Sequence, residues 1–218
     1  YSGLNIRCSD YVSVDKFKTY QNNDYSIYAY YSNYLNITRC NLNYDNNEIY
    51  IYQCFYPRLE NNTLSDSYSG IDVDSCPWGI FKNNTMFAIR GAALYFNGWS
   101  EDYYNHTVTT DNTVFGYPVS YHFKKNGVSF KNGVAGHLGA YYCRDVVFDN
   151  FTVYDPIRMF QSQNVTINRY LGDMQNRDRY AIEIYYTSTL NITNCNFSYT
   201  NDRAVMLQYC NVVNITGN

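Results

Sequence analysis

Apolar residues in this chain alternate with polar or aromatic ones over short runs, and the runs recur at a nearly fixed distance. Ile49-Tyr-Ile-Tyr-Gln-Cys54 is followed 22 residues later by Ile71-Asp-Val-Asp-Ser-Cys76, and each copy leads on to Asn-Asn-Thr, at Asn61 and at Asn83. Alternation with period two marks a strand with one buried face. A strand of about five residues recurring about every 22 is one coil of a solenoid, which buries its apolar side only by stacking on its neighbours.

The first ladder runs Leu4/Ile6, Ile27/Ala29, Ile49/Ile51 and Ile71/Val73, with Leu94 near where a fifth copy falls. It resumes at Ala140-Tyr-Tyr-Cys143 and continues through Ile157, Ile182/Ile184 and Val205/Leu207. A second ladder follows in phase: Val12/Val14, Leu35/Ile37, Leu59, Ile80, Val147, Val165/Ile167, Leu190/Ile192 and Val213/Ile215. A third, of single apolar residues, includes Leu42, Leu64, Val153 and Phe197. Three short strands per coil, separated by Asn, Asp, Ser and Gly, predict an all-β chain of about nine coils, a parallel β-helix of three sheets. Ile6, Ile27, Ile49 and Ile71 are expected to point inward and to stack in one column.

Between residues 98 and 138 the period lapses. The turns Lys125-Asn-Gly127 and Lys131-Asn-Gly133, set between segments such as Val119-Ser-Tyr-His-Phe123 and Val128-Ser-Phe130, predict a hairpin. Residues 98–138 are therefore expected to be an irregular excursion from a single domain, between N-terminal coils 1–97 and C-terminal coils 139–218. No atypical capping segment is visible at either end, so residues 1–218 are expected to be part of a longer chain or of a polymer.

The strings Leu35-Asn-Ile-Thr-Arg-Cys-Asn-Leu42, Leu190-Asn-Ile-Thr-Asn-Cys-Asn-Phe197 and Ser69-Gly-Ile-Asp-Val-Asp-Ser-Cys76 resemble the degenerate repeats of NosD-like right-handed β-helix proteins. These belong to the pectin-lyase-like superfamily, which includes many archaeal adhesin-like and surface proteins. Gly116-Tyr-Pro-Val119 is similar to a motif found where NosD-like proteins interrupt their coils. The resemblance covers nearly the whole chain and implies a right-handed solenoid. It says little about activity, because the architecture hosts lyases, hydrolases, epimerases, tailspikes and envelope proteins.

Composition adds an outdoor character. Charged residues are 16%, Tyr numbers 27 and Asn 29. Asn suits solenoid turns because it tolerates left-handed backbone and can hydrogen-bond to the Asn of the next coil. A net charge of −3 with scattered signs, and no basic spot denser than Lys124-Lys125, points away from nucleic acid. No apolar run is long enough for a transmembrane segment.

Nine Asn-X-Ser/Thr sequons stand at Asn36, Asn61, Asn83, Asn105, Asn150, Asn164, Asn191, Asn196 and Asn214. They are candidate N-glycosylation sites, although Leu-Asn-Ile-Thr is also simply a good strand with Asn and Thr outward. Of the 7 cysteines, Cys54 and Cys76 occupy equivalent places in adjacent coils. Coils about 4.8 Å apart permit a disulfide there, and equally permit two small residues stacked inside a turn, as at Thr187 and Cys210. No Cys or His spacing suggests a metal, and no cofactor is implied. His106, His122 and His137 are expected to be satisfied or solvent-facing imidazoles.

The outward carboxylates best placed for acid-base work on a polysaccharide are Asp72 and Asp74, with Asp66 and Glu183. Gly136-His-Leu138 and Ser69-Gly-Ile-Asp72 are similar to pieces of polygalacturonase motifs, but both matches are incomplete and the paired-Asp and Arg-Ile-Lys motifs are absent. Tyr28, Tyr30, Tyr50, Tyr52 and Tyr185 form a flat aromatic face that fits a sugar or protein partner, or cross-strand packing alone. The expectation is an extracellular, glycosylated structural or adhesive solenoid of a cell envelope, non-catalytic, that self-associates or meets a neighbouring envelope protein or carbohydrate. The alternative is a polysaccharide-acting hydrolase or lyase, or a tailspike, using the acids near Asp72 and Asp74.

Overall fold

The structure, a computed structural model, describes residues 2–22, 24–172, 180–197 and 203–218. They fall into two compact units, Tyr1–Val119 and Ser120–Asn218. The boundary lies within the segment where the sequence period lapses.

Unit one is a stack of parallel coils with three sheets. The first sheet pairs Leu4–Arg7, Tyr25–Tyr30, Asn47–Tyr52, Ser69–Asp74 and Leu94–Asn97 in that order. The second runs from Ser13–Asp15 through Asn36–Thr38, Arg58–Glu60 and Ile80–Lys82 to Thr107–Val108. The third runs from Lys18–Tyr20 through Asn41–Asn43, Thr63–Ser65 and Thr85–Phe87 to Thr113–Val114. Inward residues form columns one coil spacing apart, such as Leu42, Leu64, Met86 and Val114. The column that holds Ile27, Ile49 and Ile71 begins at Leu4, however, and ends at Leu94. Ile6 is buried in the neighbouring column beneath Ala29, because alternation gives each strand two inward positions.

Two further expectations shift by one residue. Phe81, not Ile80, pairs with Leu59 and faces the core, and Val146 and Phe148, not Val147, pair with Val165 and Ile167. In both places adjacent apolar residues leave period two without a unique phase, and the register of the neighbouring coil decides.

The corners between strands are held in the left-handed region by ordinary residues: Tyr34 (φ 53), Arg39 (φ 54), Tyr56 (φ 56), Asn61 (φ 58) and Trp78 (φ 59) among them. That conformation costs an L-residue roughly 1–2 kcal/mol. At such corners the backbone N–H turns toward the next coil and is satisfied there, as Tyr34 N to Phe55 O at 2.8 Å and Asn61 N to Lys82 O at 3.0 Å. Stacking therefore fixes a bend that an isolated turn would abandon.

Unit two uses the same principle with longer strands. Arg144–Val153 and Gln163–Gly172 each carry ten residues and pair in parallel. Each holds a left-handed residue at its second position, Asp145 (φ 54) and Asn164 (φ 51), and another in its interior, Asn150 (φ 51) and Arg169 (φ 51), where second and third strands run on as one bent strand. Ser129–Ala135, Ser188–Thr193 and Asn211–Thr216 complete that sheet. A facing sheet includes His137–Tyr141, Ile157–Phe160, Ile182–Tyr185 and Val205–Gln208.

The predicted hairpin is displaced. The antiparallel pair lies in unit one, Thr113 with Pro118 and Val114 with Tyr117, around Phe115 (φ 53) and Gly116 (φ 81). Two successive positive φ values are what a tight hairpin turn requires. Asn126 instead bridges Arg144 in parallel, and Lys131-Asn-Gly133 lies inside a strand paired with the next coil.

Candidate functional site

Most inward strand positions are apolar, so candidate chemistry is sought on the outward faces and in the buried polar groups, such as Glu48, His137, Asp155 and Glu183, that interrupt the apolar interior. On the first sheet of unit one the outward columns are Asn5, Tyr28, Tyr50, Asp72 and Tyr95, and Arg7, Tyr30, Tyr52, Asp74 and Asn97. Tyr28 and Tyr50 stack with centroids 5.5 Å apart at 8°, Tyr25 leans on both, and Arg7 lies over the Tyr30 ring at 5.0 Å. The ring faces of Tyr28 and Tyr50 thus meet each other, and edges and hydroxyls face outward. Burial, together with Asp74 and Asp72, pushes the Tyr50 hydroxyl well above its ordinary range, so it stays a donor.

Asp72 and Asp74 share this face, half-buried, and Asp74 accepts a hydrogen bond from Ser75 Oγ at 2.8 Å. Asp66 occupies a left-handed corner of the same coil (φ 57) instead of the strand face. Glu183 belongs to unit two, where Arg158 Nη2 holds it at 2.8 Å and Tyr185 Oη donates to it at 2.9 Å. Tyr185 is thereby part of a polar cluster and not of the Tyr28 to Tyr52 face. A second buried pair in unit two, His137 Nδ1 and Asp155 Oδ2 at 2.7 Å, joins residues 18 apart. Nothing in the sequence flagged it.

The remaining histidines are also occupied. His106 is buried and accepts the Gly79 N–H at Nδ1, 3.0 Å; burial drives its pKa down to about 3. His122 hydrogen-bonds Ser120 at 2.9 Å, and burial followed by the Lys125 charge lowers its pKa. Among the described residues no group of three or more His, Cys, Asp or Glu converges where a metal ion would be held.

The cysteines are free thiols. Cys54 and Cys76 do stack in adjacent coils, the Cys54 N–H donating to Cys76 Sγ at 3.1 Å. Ser32 N donates to Cys54 Sγ at 3.3 Å and Ser9 N to Ser32 Oγ at 3.1 Å, so the same corner repeats the device. Unit two repeats it with Cys143 N to Ser162 Oγ and Ser162 N to Thr187 Oγ1. The next corner of unit one carries buried amides. Cys40 N donates to Asn62 Oδ1, Asn62 N and Nδ2 to Asn84 Oδ1, and Asn84 N and Nδ2 to Asn112 Oδ1, all within 2.9–3.1 Å. The expectation that Asn bonds Asn in the next coil is met here.

Buried Asn62 and Asn84 each follow an exposed Asn that heads a sequon, Asn61 and Asn83, while buried Asn112 follows the exposed Asp111. Asn105, Asn150, Asn164, Asn196 and Asn214 are exposed too, and Asn36 and Asn191 are half-buried.

An unanticipated feature lies on the corner ahead of the second sheet. Tyr11, Tyr34, Tyr56 and Trp78 stack face to face, with centroids 4.7, 5.1 and 5.0 Å apart and planes within 22°. All four are exposed. Their spacing of 23, 22 and 22 residues was the available signal, but corner positions stand outside the strand alternation.

An apolar interior of stacked parallel coils, with ordered side-chain ladders inside and out, defines a β-solenoid. A family model described as a right handed beta helix region matches residues 1–115, and the chain belongs to that family. Searches of curated proteins and of solved structures returned no match. Among the described residues no helix is long and apolar enough to cross a membrane.

Proposed function

We propose that this chain is an extracellular, glycosylated and non-catalytic β-solenoid, a structural or adhesive component of a cell envelope such as a surface layer, sheath or fibre subunit. The observation that carries the reading is the position of the sequons: seven of the nine acceptor asparagines are exposed. The exposed aromatic corner of unit one supplies edges and hydroxyls for contact with another copy, a neighbouring envelope protein or a carbohydrate. Glu183, committed to Arg158 and Tyr185, is a structural acid. Immunolabelling of intact source cells tests the location, with label expected on the outer surface; a signal seen only after lysis would reject it.

One observation favours a second reading, a polysaccharide-acting hydrolase or lyase. Asp72 and Asp74 are successive outward residues of one strand, about 6.6 Å apart by strand geometry, close to the carboxylate separation of inverting glycosidases. A depolymerisation assay on acidic and neutral glycans separates the two. No chain shortening is expected, and shortening that vanishes in Asp72→Asn would establish the enzyme.

A further inference from the structure

The aromatic corner of unit one ends at Trp78. Among the described residues its indole meets only Tyr56, on one face at 5.0 Å, and the edge of Phe55 at 6.1 Å, so no ring covers the other face. In the next coil Thr107 pairs with Ile80 and His106 accepts the Gly79 N–H. Carried back by two residues, that register sets Asn105 beside Trp78, about one coil spacing of 4.8 Å away, with a backbone (φ -81, ψ 75) that departs from the left-handed corner of Trp78 (φ 59). A ladder of rings is continued by the acceptor of a sequon.

Asn105 also differs from the other acceptors in its freedom. Asn83 Nδ2 is tied to Asn61 at 2.7 Å, Asn150 Nδ2 to Asn132 at 2.7 Å, and Asn164 Nδ2 to Asp145 at 2.9 Å. Asn214 Nδ2 donates to Asn191 Oδ1 at 3.4 Å, so Asn191, like Asn61 under Asn83, is held to the next coil through its oxygen; Asn36 and Asn191 are half-buried, and the Asn196 backbone bridges Leu171. Asn105 instead closes the short 3-10 turn Glu101–Tyr104, outside any strand, its backbone N–H donating to Asp102 O at 3.0 Å, and among the described residues its carboxamide has no hydrogen bond to another coil.

We infer that Asn105 is the principal N-glycosylation site of the chain and that its first sugar lies on the open face of Trp78. This rests on the glycosylated reading above. In the transfer, Asn105 Nδ2 attacks the anomeric carbon of a lipid-linked sugar phosphate donor held by a transferase. The N–C bond forms as the C–O bond to phosphate breaks, the lipid phosphate leaves with the electron pair, and one amide proton passes to base. A carboxamide in a coil-to-coil ladder must first break its hydrogen bond; that of Asn105 need not. Once attached, the C–H face of the sugar ring covers indole that no protein ring covers.

The test is glycopeptide mass spectrometry on the full chain secreted from a glycosylating host, followed by melting of wild type, Asn105→Gln, Trp78→Ala and the double variant. Asn105 is expected to show the highest occupancy. Asn105→Gln is expected to lower the melting temperature in the wild-type background and to have a smaller effect beside Trp78→Ala, the non-additivity of a direct contact. Sugars elsewhere with Asn105 bare would overturn this inference alone. No sugar at any sequon would overturn the glycosylated reading with it, and equal shifts in both backgrounds would remove Trp78 as the sugar's platform. Occupancy is read without the Trp78 variant, so a folding failure there leaves the site assignment testable.

Discussion

The Cys54 N–H donates to the sulfur of Cys76 across one coil spacing, while Cys76 Sγ in turn lies 3.1 Å from the Asp74 carbonyl. The sulfur thus does what Ser32 Oγ does one coil before Cys54, where it lies 3.1 Å from both Ser9 N and the Tyr30 carbonyl. Burial pushes the Cys76 thiol well above its usual range. Cys76→Ser should fold with a small change in stability, and Cys76→Ala should cost about 1–2 kcal/mol by orphaning the Cys54 N–H. Urea unfolding of both variants checks this; an Ala variant as stable as Ser would show that the sulfur acts by volume alone.

Asn84 serves more partners. It accepts from Asn62 N and Nδ2 and donates to Asn112 Oδ1 and the Leu59 carbonyl, with no exposed surface. Asn84→Ala leaves several of these groups without water or partner, an expected loss of roughly 3–5 kcal/mol. The neighbouring Asn83→Ala, on the exposed side of the same corner, should cost far less. Similar losses for both in denaturant titrations would contradict the ladder.

Glu48 is fully buried at the start of its strand. Ser26 Oγ stands 2.5 Å from Glu48 Oε2 and also contacts Asp45 and Thr19, more partners than one hydroxyl proton can serve. Burial, the largest cause, and the Asp45 charge raise the Glu48 pKa from 4.5 to about 7. Between those values the folded state keeps a proton that the unfolded state releases. This contribution to stability is therefore complete below pH 4.5 and is lost as pH rises to about 7, by roughly 3 kcal/mol. Glu48→Gln should remove that fall, which unfolding measured at pH 5 and pH 8 would reveal.

His106 works in the opposite direction. With its pKa held near 3, the unfolded state takes up the proton first as pH drops below about 6.5, so stability is lost on the acid side. The two windows overlap between pH 4.5 and 6.5 with opposite signs, and wild type should show a shallow profile there. His106→Gln, which can still accept the Gly79 N–H, should keep its stability farther into acid than wild type. A parallel decline in both proteins would place the acid sensitivity elsewhere.

The coil, its period and most inward residues were legible because Ile, Leu and Val alternate cleanly in Ile49-Tyr-Ile51 and Leu190-Asn-Ile192. Legibility failed where neighbours were both apolar, at Ile80-Phe81 and Val146-Val147, since only the adjacent coil selects the phase. The Asn112 rung was hidden by a step of 28 residues from Asn84, lengthened by the turn around Glu101–Tyr104. His137 with Asp155 and Arg158 with Glu183 depend on which residues two coils bring side by side. Glu183 and His137 stood out in the sequence, but nothing local to either names Arg158 or Asp155 as its partner.

The uniform 22-residue step in the middle of unit one also bears on how such a gene can change. Tyr34 to Tyr56, Cys54 to Cys76 and Asn62 to Asn84 all share it. Excising residues 55–76 would place Tyr34 against Trp78, Cys40 beneath Asn84 and Ile49 beneath Leu94, each a partner of the same kind as the one lost. Because every coil touches only its neighbours, unequal recombination between copies can lengthen or shorten this lineage by whole coils, and selection then acts on span while the cross-section is inherited intact.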